Sequence, residues 1–495
     1  MLNYASSLPG DAARPTFSTA RKRSGLWKVG LPLSSLAVVV FLFGCSLAPE
    51  YNRPAAPVPA ALGEIAKDAA LSLPPWSEFL PDPRLKAVIS RALENNRDLR
   101  LALLRVYEAG AEHGLARSDR LPRLEAEGRE TVAGGAGRET NRDFEAGLAL
   151  PSFEIDYLSR LGDLSRAALE RRLATTEAYR FARLALLSSA TEAYLNGRLA
   201  RERLGLTRRN LQSFRASLAF VEKRLLSGQT DLLALEQAKG LVAFAETQVA
   251  AREAEIVRVD NALSLILGDF DLAALPEATS LSRWPKLVLP AGLRSDALLS
   301  RPDVLEAEHA LKAAYADIGA ARAAFFPQIS LTGALGLMSL ELSSLFSGGG
   351  ETWNFGPQIR LPIFSGGRNK ASLDLAEIRK DMAVTAYETV IQNAFREVRE
   401  GLAMRPRLEA RLKAQNDYLA AQRRVLSLAT SRYQNGVVSY LEVLEAQRNV
   451  LEAESALLEI KTEMIFNDVS LYVALGGGFP QDEEFSDKPA SSSNQ

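Results

Sequence analysis

The strongest constraint on this chain is an internal repeat. Arg224-Leu-Leu-Ser-Gly228 aligns with Arg432-Tyr-Gln-Asn-Gly436, Tyr179 with Tyr387, Ala238 with Ala446, Glu246 with Glu454 and Gly268 with Gly476, every pair 208 positions apart. Leu121-Pro122 pairs with Phe326-Pro327 at an offset of 205, and Leu150-Pro151 with Leu361-Pro362 at 211, so length differences fall where loops are expected. This period far exceeds that of a solenoid and implies two copies of one structural unit set about a pseudo-twofold axis.

Each copy reads helix, two strands, very long helix, tight turn, returning helix. In the first, Asp82-Pro83 supplies a cap and first-turn proline for a helix over 84–118, which Pro122 ends. Residues 123–129 and 144–151 alternate with the period of strands, across Gly134-Gly-Ala-Gly137. In the second, Ile329, Leu331, Gly333, Leu335 and Leu337 alternate on one strand and Trp353, Phe355, Pro357, Ile359 and Leu361 on the next, across Gly348-Gly-Gly350. Strands of about ten residues suffice to cross a hydrocarbon core when tilted. A lone hairpin in a soluble sheet lacks partners and is marginal, whereas strands from several identical chains closing one barrel remove every edge. From Pro151 to Ser227 the chain holds no further proline and is dense in Ala, Leu, Glu and Arg, predicting a helix of about 110 Å. Gly366-Gly367 opens its counterpart, which carries an expected kink at Pro406. Such helices need parallel partners, as in a coiled coil or an α-barrel.

The first 44 residues read as a bacterial secretory leader: Arg14, Arg21, Lys22, Arg23 and Lys28 precede an apolar run from Val29 to Gly44. It ends at the only cysteine. Leu42-Phe-Gly-Cys45 has the form of a lipobox, in which the bond before Cys45 is cut and the thiol carries a diacylglycerol; three acyl chains, at about 0.8 kcal/mol per buried methylene, anchor a protein firmly. Ser46, where aspartate would retain a lipoprotein in the inner membrane, points to the outer membrane. Composition narrows the remaining classes. One Cys and two His, His113 and His309, leave little material for a thiolate or imidazole metal centre. With 59 basic and 60 acidic residues the chain is no electrostatic nucleic-acid binder. No Ser/His/acid motif or phosphate loop suggests an enzyme, and no later apolar run is long enough for a spanning helix.

These boundaries give a leader (1–44), a lipid-anchored segment (45–81), a first repeat (82–268, hairpin near 122–151, tip near 228), an equatorial linker (269–300), a second repeat (301–476, hairpin near 327–362, tip near 436) and a polar tail (477–495). Arg301-Pro-Asp303 reads as a helix start, with Ser300 as cap and Asp303 in the first turn. Spacings of three and four put Leu441, Glu445 and Arg448 on one helix face with Glu442 in the neighbouring sector. That is equally the pattern of a solvated face carrying i, i+3 pairs. Phe144, Trp353 and Phe355 are candidates for an interfacial aromatic belt, with core packing as the competing account.

In order and spacing the chain resembles the TolC/NodT-like outer-membrane factors of tripartite efflux systems. The residues that carry the resemblance are Asp82-Pro83, Ala92-Leu-Glu-Asn-Asn96, Arg301-Pro-Asp303, Ile318-Gly-Ala-Ala-Arg322, Phe326-Pro-Gln-Ile-Ser-Leu331, Phe355-Gly-Pro-Gln-Ile-Arg-Leu-Pro-Ile-Phe364, Ala394-Phe-Arg-Glu-Val398, Arg432-Tyr433 with Gly436, and Glu445-Ala-Gln-Arg448. The resemblance implies a mainly α fold with a membrane β-barrel, a homotrimeric channel with two repeats per chain and no enzymatic activity or cofactor beyond the lipid on Cys45. It implies tips at Gly228 and Gly436 that face a periplasmic adaptor, and behind it an inner-membrane transporter of the proton-driven RND type. It implies a gate formed by Tyr433, Leu441, Glu442, Glu445 and Arg448, with Glu where the family commonly carries Asp. A type I secretion duct shares this architecture. A non-conducting envelope lipoprotein is the reading from another class.

Overall fold

The computed structural model describes residues 45–59, 73–277, 295–347 and 350–477. The leader, the middle of the equatorial linker, Gly348-Gly349 and the polar tail lie outside the described residues. The first copy comprises a short helix α1 (Trp76–Phe79), α2 (Pro83–Asn95), α3 (Arg97–Ser118), β1 (Glu125–Gly135), β2 (Arg138–Glu154), α4 (Arg160–Leu226) and α5 (Leu232–Leu267). The second comprises α6 (Pro302–Ala323), β3 (Gln328–Ser339), β4 (Gly350–Arg360), α7 (Arg368–Gln434) and α8 (Tyr440–Ala474).

Asp82 caps α2 by accepting the Arg84 N–H at 2.9 Å, a contact worth about 1 kcal/mol. The helix expected over 84–118 is broken at Asn96, whose backbone is extended (ψ 127°). Its side chain explains the break: it accepts the Leu99 N–H and donates to the Ile266 carbonyl, both at 2.9 Å, so one residue ends α2, starts α3 and ties both to α5. The long helices α4 and α7 have 67 residues each, about 100 Å, and begin 208 positions apart. The first is shorter than expected because β2 continues through Pro151 to Glu154, past an irregularity between Leu150 and Phe153. α7 runs through Pro406 as one helix.

The two hairpins are not isolated in the chain. They pair with each other: β2 runs antiparallel to β3, giving one four-stranded sheet in the order β1-β2-β3-β4. Cross-strand partners share a face, so the register sorts the side chains. One face carries Ala126, Leu148, Leu335 and Trp353 in one row and Leu150, Gly333 and Phe355 in the next. The other carries Glu127, Gly147, Gly336 and Thr352, flanked by rows holding Arg129 and Glu145 and holding Glu125 and Asn354. The apolar face is bare, with Trp353 75% and Leu335 64% exposed. A Cβ at Gly147 would lie 2.5 Å from the Leu335 oxygen, and one at Gly336 2.5 Å from the Ala146 oxygen, so on the polar face this facing glycine pair lets β2 and β3 approach closely. Both outer strands, β1 and β4, keep an open edge.

Among the described residues five hydrophobic clusters hold the helices, three of them large. Leu85, Ile89, Leu187, Leu195, Leu267 and Val469 close the first equatorial core. Leu298, Val304, Tyr387, Ile391 and Leu471 close the second. Phe214, Val221, Leu241, Tyr433 and Val443 close the far end. Arg301 locks the second core. It is 3% exposed, and its guanidinium donates to the Ala474 carbonyl (2.6 Å), to both Asp303 oxygens (3.0 and 2.8 Å) and to Glu397 (3.0 Å). Here too the sequence reading is corrected: the residue preceding α6 is Arg301, without a side-chain cap bond, and Ser300 ends a short 3-10 turn, Ser295–Ser300. Desolvation alone would favour neutral Arg301; the two carboxylates outweigh it and keep it charged.

The segment from Cys45 is strapped to the body. Ser46 Oγ donates to the buried Asp163 carboxylate at 2.8 and 2.9 Å, and Arg322 donates to the Leu47 carbonyl at 3.3 Å. Gly319 makes room, since a Cβ there would sit 2.2 Å from Asp163 and 2.8 Å from Ala48. Farther on, Arg53 grips Glu308 (Nη2 to Oε2 2.6 Å), Tyr51 donates to the same carboxylate at 3.2 Å, and Lys312 lies 3.1 Å away. Burial pushes the Glu308 carboxyl up, but the hydrogen bonds from Arg53 and Lys312 outweigh it and hold it below the ordinary glutamate value.

Two outcomes follow from these contacts. Gly147→Val should abolish the folded sheet and the β-strand signal of the detergent-solubilised protein in circular dichroism, whereas Gly128→Val, with open space at its Cβ, should leave that signal intact. Because the Glu308 value is depressed on folding, its pairing stabilises the strap above the unfolded pKa and is lost as pH falls through the folded one. Hydrogen exchange at residues 51–53 should therefore accelerate on acidification below the ordinary carboxylate range. Glu308→Gln should show fast exchange already at neutral pH.

Candidate functional site

The two helical reversals at the end remote from the sheet are built alike. Gly228 (φ 70°) and Gly436 (φ 71°) sit in the left-handed region just past α4 and α7. The N–H of Gln229 returns to the Arg224 carbonyl at 2.8 Å and that of Val437 to the Arg432 carbonyl at 2.9 Å, closing the same cap at each helix end. Among the described residues, apart from each glycine and its two chain neighbours, no atom lies within 4 Å of a Cβ built on either glycine. Glycine is thus required by backbone angle, and the outer surface of each turn stays open.

Inside the tip the two copies lock together. Tyr433, 6% exposed, packs between Phe220 (centroids 6.2 Å) and Tyr440 (5.2 Å), and Tyr440 donates to Ser217 Oγ at 3.0 Å. Arg224 lies over the Tyr433 ring at 5.0 Å and donates to the carbonyls of Tyr433 (2.8 Å), Gln434 (3.2 Å) and Gln229 (3.2 Å). One side chain caps the end of α7 and the turn after α4. Sequence reasoning noticed Arg224 only as a repeat marker and overlooked Phe220 and Tyr440; an arginine one helical turn before a capping glycine was the available signal.

The proposed gate residues separate into two groups. Leu441, Glu442, Glu445 and Arg448 line the exposed face of α8, opposite Val443, Leu444, Ala446 and Val450, which are buried. Tyr433 belongs to the packed interior, on the other side of that helix. Glu442 lies 3.7 Å from Arg432, and with both side chains about half exposed the pair contributes about 0–1 kcal/mol. At the other end, Trp353 and Phe355 are exposed neighbours on the apolar sheet face. Phe144 shares that face but stands four residues along β2 from the Trp353 row and six from the Phe355 row, about 13 and about 20 Å away. Cys45 is exposed at the head of the strap. Among the described residues no group of three His, Cys, Asp or Glu is arranged to hold a metal, and no helix is long and apolar enough to cross a membrane.

Comparison with known proteins fits this geometry. The profile of the outer membrane efflux protein family matches residues 88–269 and 293–477, one segment for each copy of the repeat. The chain is 43% identical over 457 residues to the cation efflux system protein CusC of Escherichia coli O157:H7, covering 91% of this chain and 99% of that one. It is 41% identical over 461 residues to the probable outer membrane lipoprotein SilC of Salmonella typhimurium, covering 91% and 99%. A crystal structure of CusC superposes with a TM-score of 0.82 at 45% identity over 88% of this chain and all of that one. The open state of the MtrE outer membrane channel of Neisseria gonorrhoeae superposes with a TM-score of 0.80 at 35% identity, covering 88% and 98%. A chain whose two repeats, membrane-suited sheet and long helices match these relatives over nearly their full length belongs to the outer membrane efflux protein family.

Proposed function

We propose that three copies of this outer-membrane efflux channel close their four-stranded sheets into one barrel and conduct solute passively from the periplasm to the exterior. The observation that carries this is the sheet itself, bare and apolar on one face, polar and glycine-lined on the other, and open at both edges. In a bilayer each unpaired edge group costs several kcal/mol, so the edges must meet. Two copies would give about eight strands, whose interior side chains fill; three give about twelve and leave a passage. Helices of about 100 Å then carry that passage into the periplasm.

Cys45, behind a lipobox and at the exposed head of a strap held by Asp163 and Glu308, carries diacylglycerol and an N-acyl chain. SilC, itself named an outer membrane lipoprotein, supports this. The open glycine turns at 228 and 436 receive a periplasmic adaptor, and through it an inner-membrane transporter of the RND type. Around a threefold axis Glu442 and Glu445 become rings of negative charge beside Leu441 and Arg448 at the entrance, where they concentrate cations. CusC is named for cation efflux, and the exposed acids here suit cargo of that class. Tyr433 acts behind the rings, as the packed support of the helix that bears them. Trp353 and Phe355, with Phe144 at a different height, contact lipid.

Two measurements test the assignment. Glu442→Gln combined with Glu445→Gln should lower cation selectivity in planar bilayers; an unchanged reversal potential would remove these acids from the gate. Cys45→Ser should lose all incorporation of labelled palmitate while the wild-type chain is labelled.

A further inference from the structure

The repeat makes a statement about a surface that the single chain leaves uncovered. Inside the chain, Ser217, Phe220 and Arg224 of α4 pack against Tyr433, Gln434 and Tyr440 of the second copy. Shifted by 208 positions, the first set becomes Val425, Leu428 and Arg432, and the second becomes Leu225, Leu226 and Leu232. These six residues have no such junction to form within the chain. Val425, Leu428, Leu226 and Leu232 are large aliphatic side chains exposed at the tip, Leu226 at 89%, and Arg432 meets only Glu442, loosely. An exposed aliphatic group of this kind calls for a covering partner. The helix ends are equivalent too. Gly228 donates to Leu225 and Gly436 to Tyr433, each at 3.0 Å, so the carbonyls of Leu225 and Leu226 leave α4 as those of Tyr433 and Gln434 leave α7.

We propose that Val425, Leu428 and Arg432 form the docking face for Leu225, Leu226 and Leu232 of a second copy of this chain, with the Arg432 guanidinium donating to the Leu225 and Leu226 carbonyls of that copy. The proposal rests on the oligomeric duct inferred above and names the contact that joins its copies at the tip. It also ranks the joints. The joint within a chain has aromatic rings under its arginine and a Tyr440 to Ser217 hydrogen bond. The joint between chains has leucines in place of both rings at 225 and 232, and Val425 cannot accept where Ser217 does. Three strong joints therefore alternate with three weaker ones, and the tip parts between copies. Glu442 competes for the same arginine, so the acid assigned to the entrance also draws Arg432 away from closure.

A short bismaleimide applied to the purified Val425→Cys, Leu232→Cys chain should give covalent dimers and trimers on denaturing gels. The Ser217→Cys, Tyr440→Cys chain should link only within itself. An oligomer by light scattering that yields no ladder overturns this contact alone; a monomer overturns the duct as well. Arg432→Ala should raise single-channel conductance several-fold with the oligomer intact. Leu232→Tyr with Val425→Ser, which rebuilds the stronger joint between copies, should lower it. Unchanged conductance in both variants would overturn the ranking of the joints.

Discussion

Everything in this chain depends on how backbone hydrogen bonds are satisfied in hydrocarbon. A sheet of four strands with one apolar face can sit in a bilayer, but its two outer edges cannot stay unpaired there. The remedy is assembly, and assembly dictates the rest. The facing glycines 147 and 336 let β2 and β3 approach closely on the polar face. In the proposed assembly the helices that follow β2 and β4 would stand in a ring, where each finds the lateral partners that a 67-residue helix lacks when alone. The strap from Cys45 joins the same plan by tying the segment behind the lipid anchor to α4 and α6 through Asp163 and Glu308.

Duplication supplies the ring cheaply, since one unit used twice per chain gives six near-equivalent positions in three chains. The copies have nevertheless diverged where they do different work. Arg224 and Arg432 occupy the same place, yet the first is enclosed by aromatic rings and carbonyls of its own chain and the second stands in solvent beside a carboxylate. The start of the second unit also acquired Arg301, a buried cation satisfied by two carboxylates and a helix-end carbonyl. Removing one partner of such a site leaves a charge stranded out of water, which explains why the motif is structural even though it looks chemical.

Much of the architecture was legible because it is written in local periodicity. The alternation from Ile329 to Leu337 marks a strand, the proline-poor run after residue 151 marks a long helix, and Gly228 and Gly436 mark reversals that need positive φ. The misreadings share a physical cause. Asn96 breaks a helix through bonds to its own backbone and to Ile266, 170 positions away, and no local pattern encodes the second. β2 runs through Pro151 because its pairing with β3 outlasts the proline. Tyr433, which the resemblance groups with the acids of α8, packs instead on the opposite side of that helix between Phe220 and Tyr440.

The amino-acid sequence by itself determined the doubled unit, the alternating strands, the helix lengths and turns, and the single cysteine behind its lipobox, since each depends on residues close together in the chain. Only the tertiary structure decided that the two hairpins share one sheet, that Arg301 and Arg224 are the ties, and which of two equivalent arginines remains available at the tip. Those outcomes depend on register and packing between segments some 200 positions apart. There the energy of a contact is set by what the fold brings alongside it, a quantity that no stretch of neighbouring residues contains.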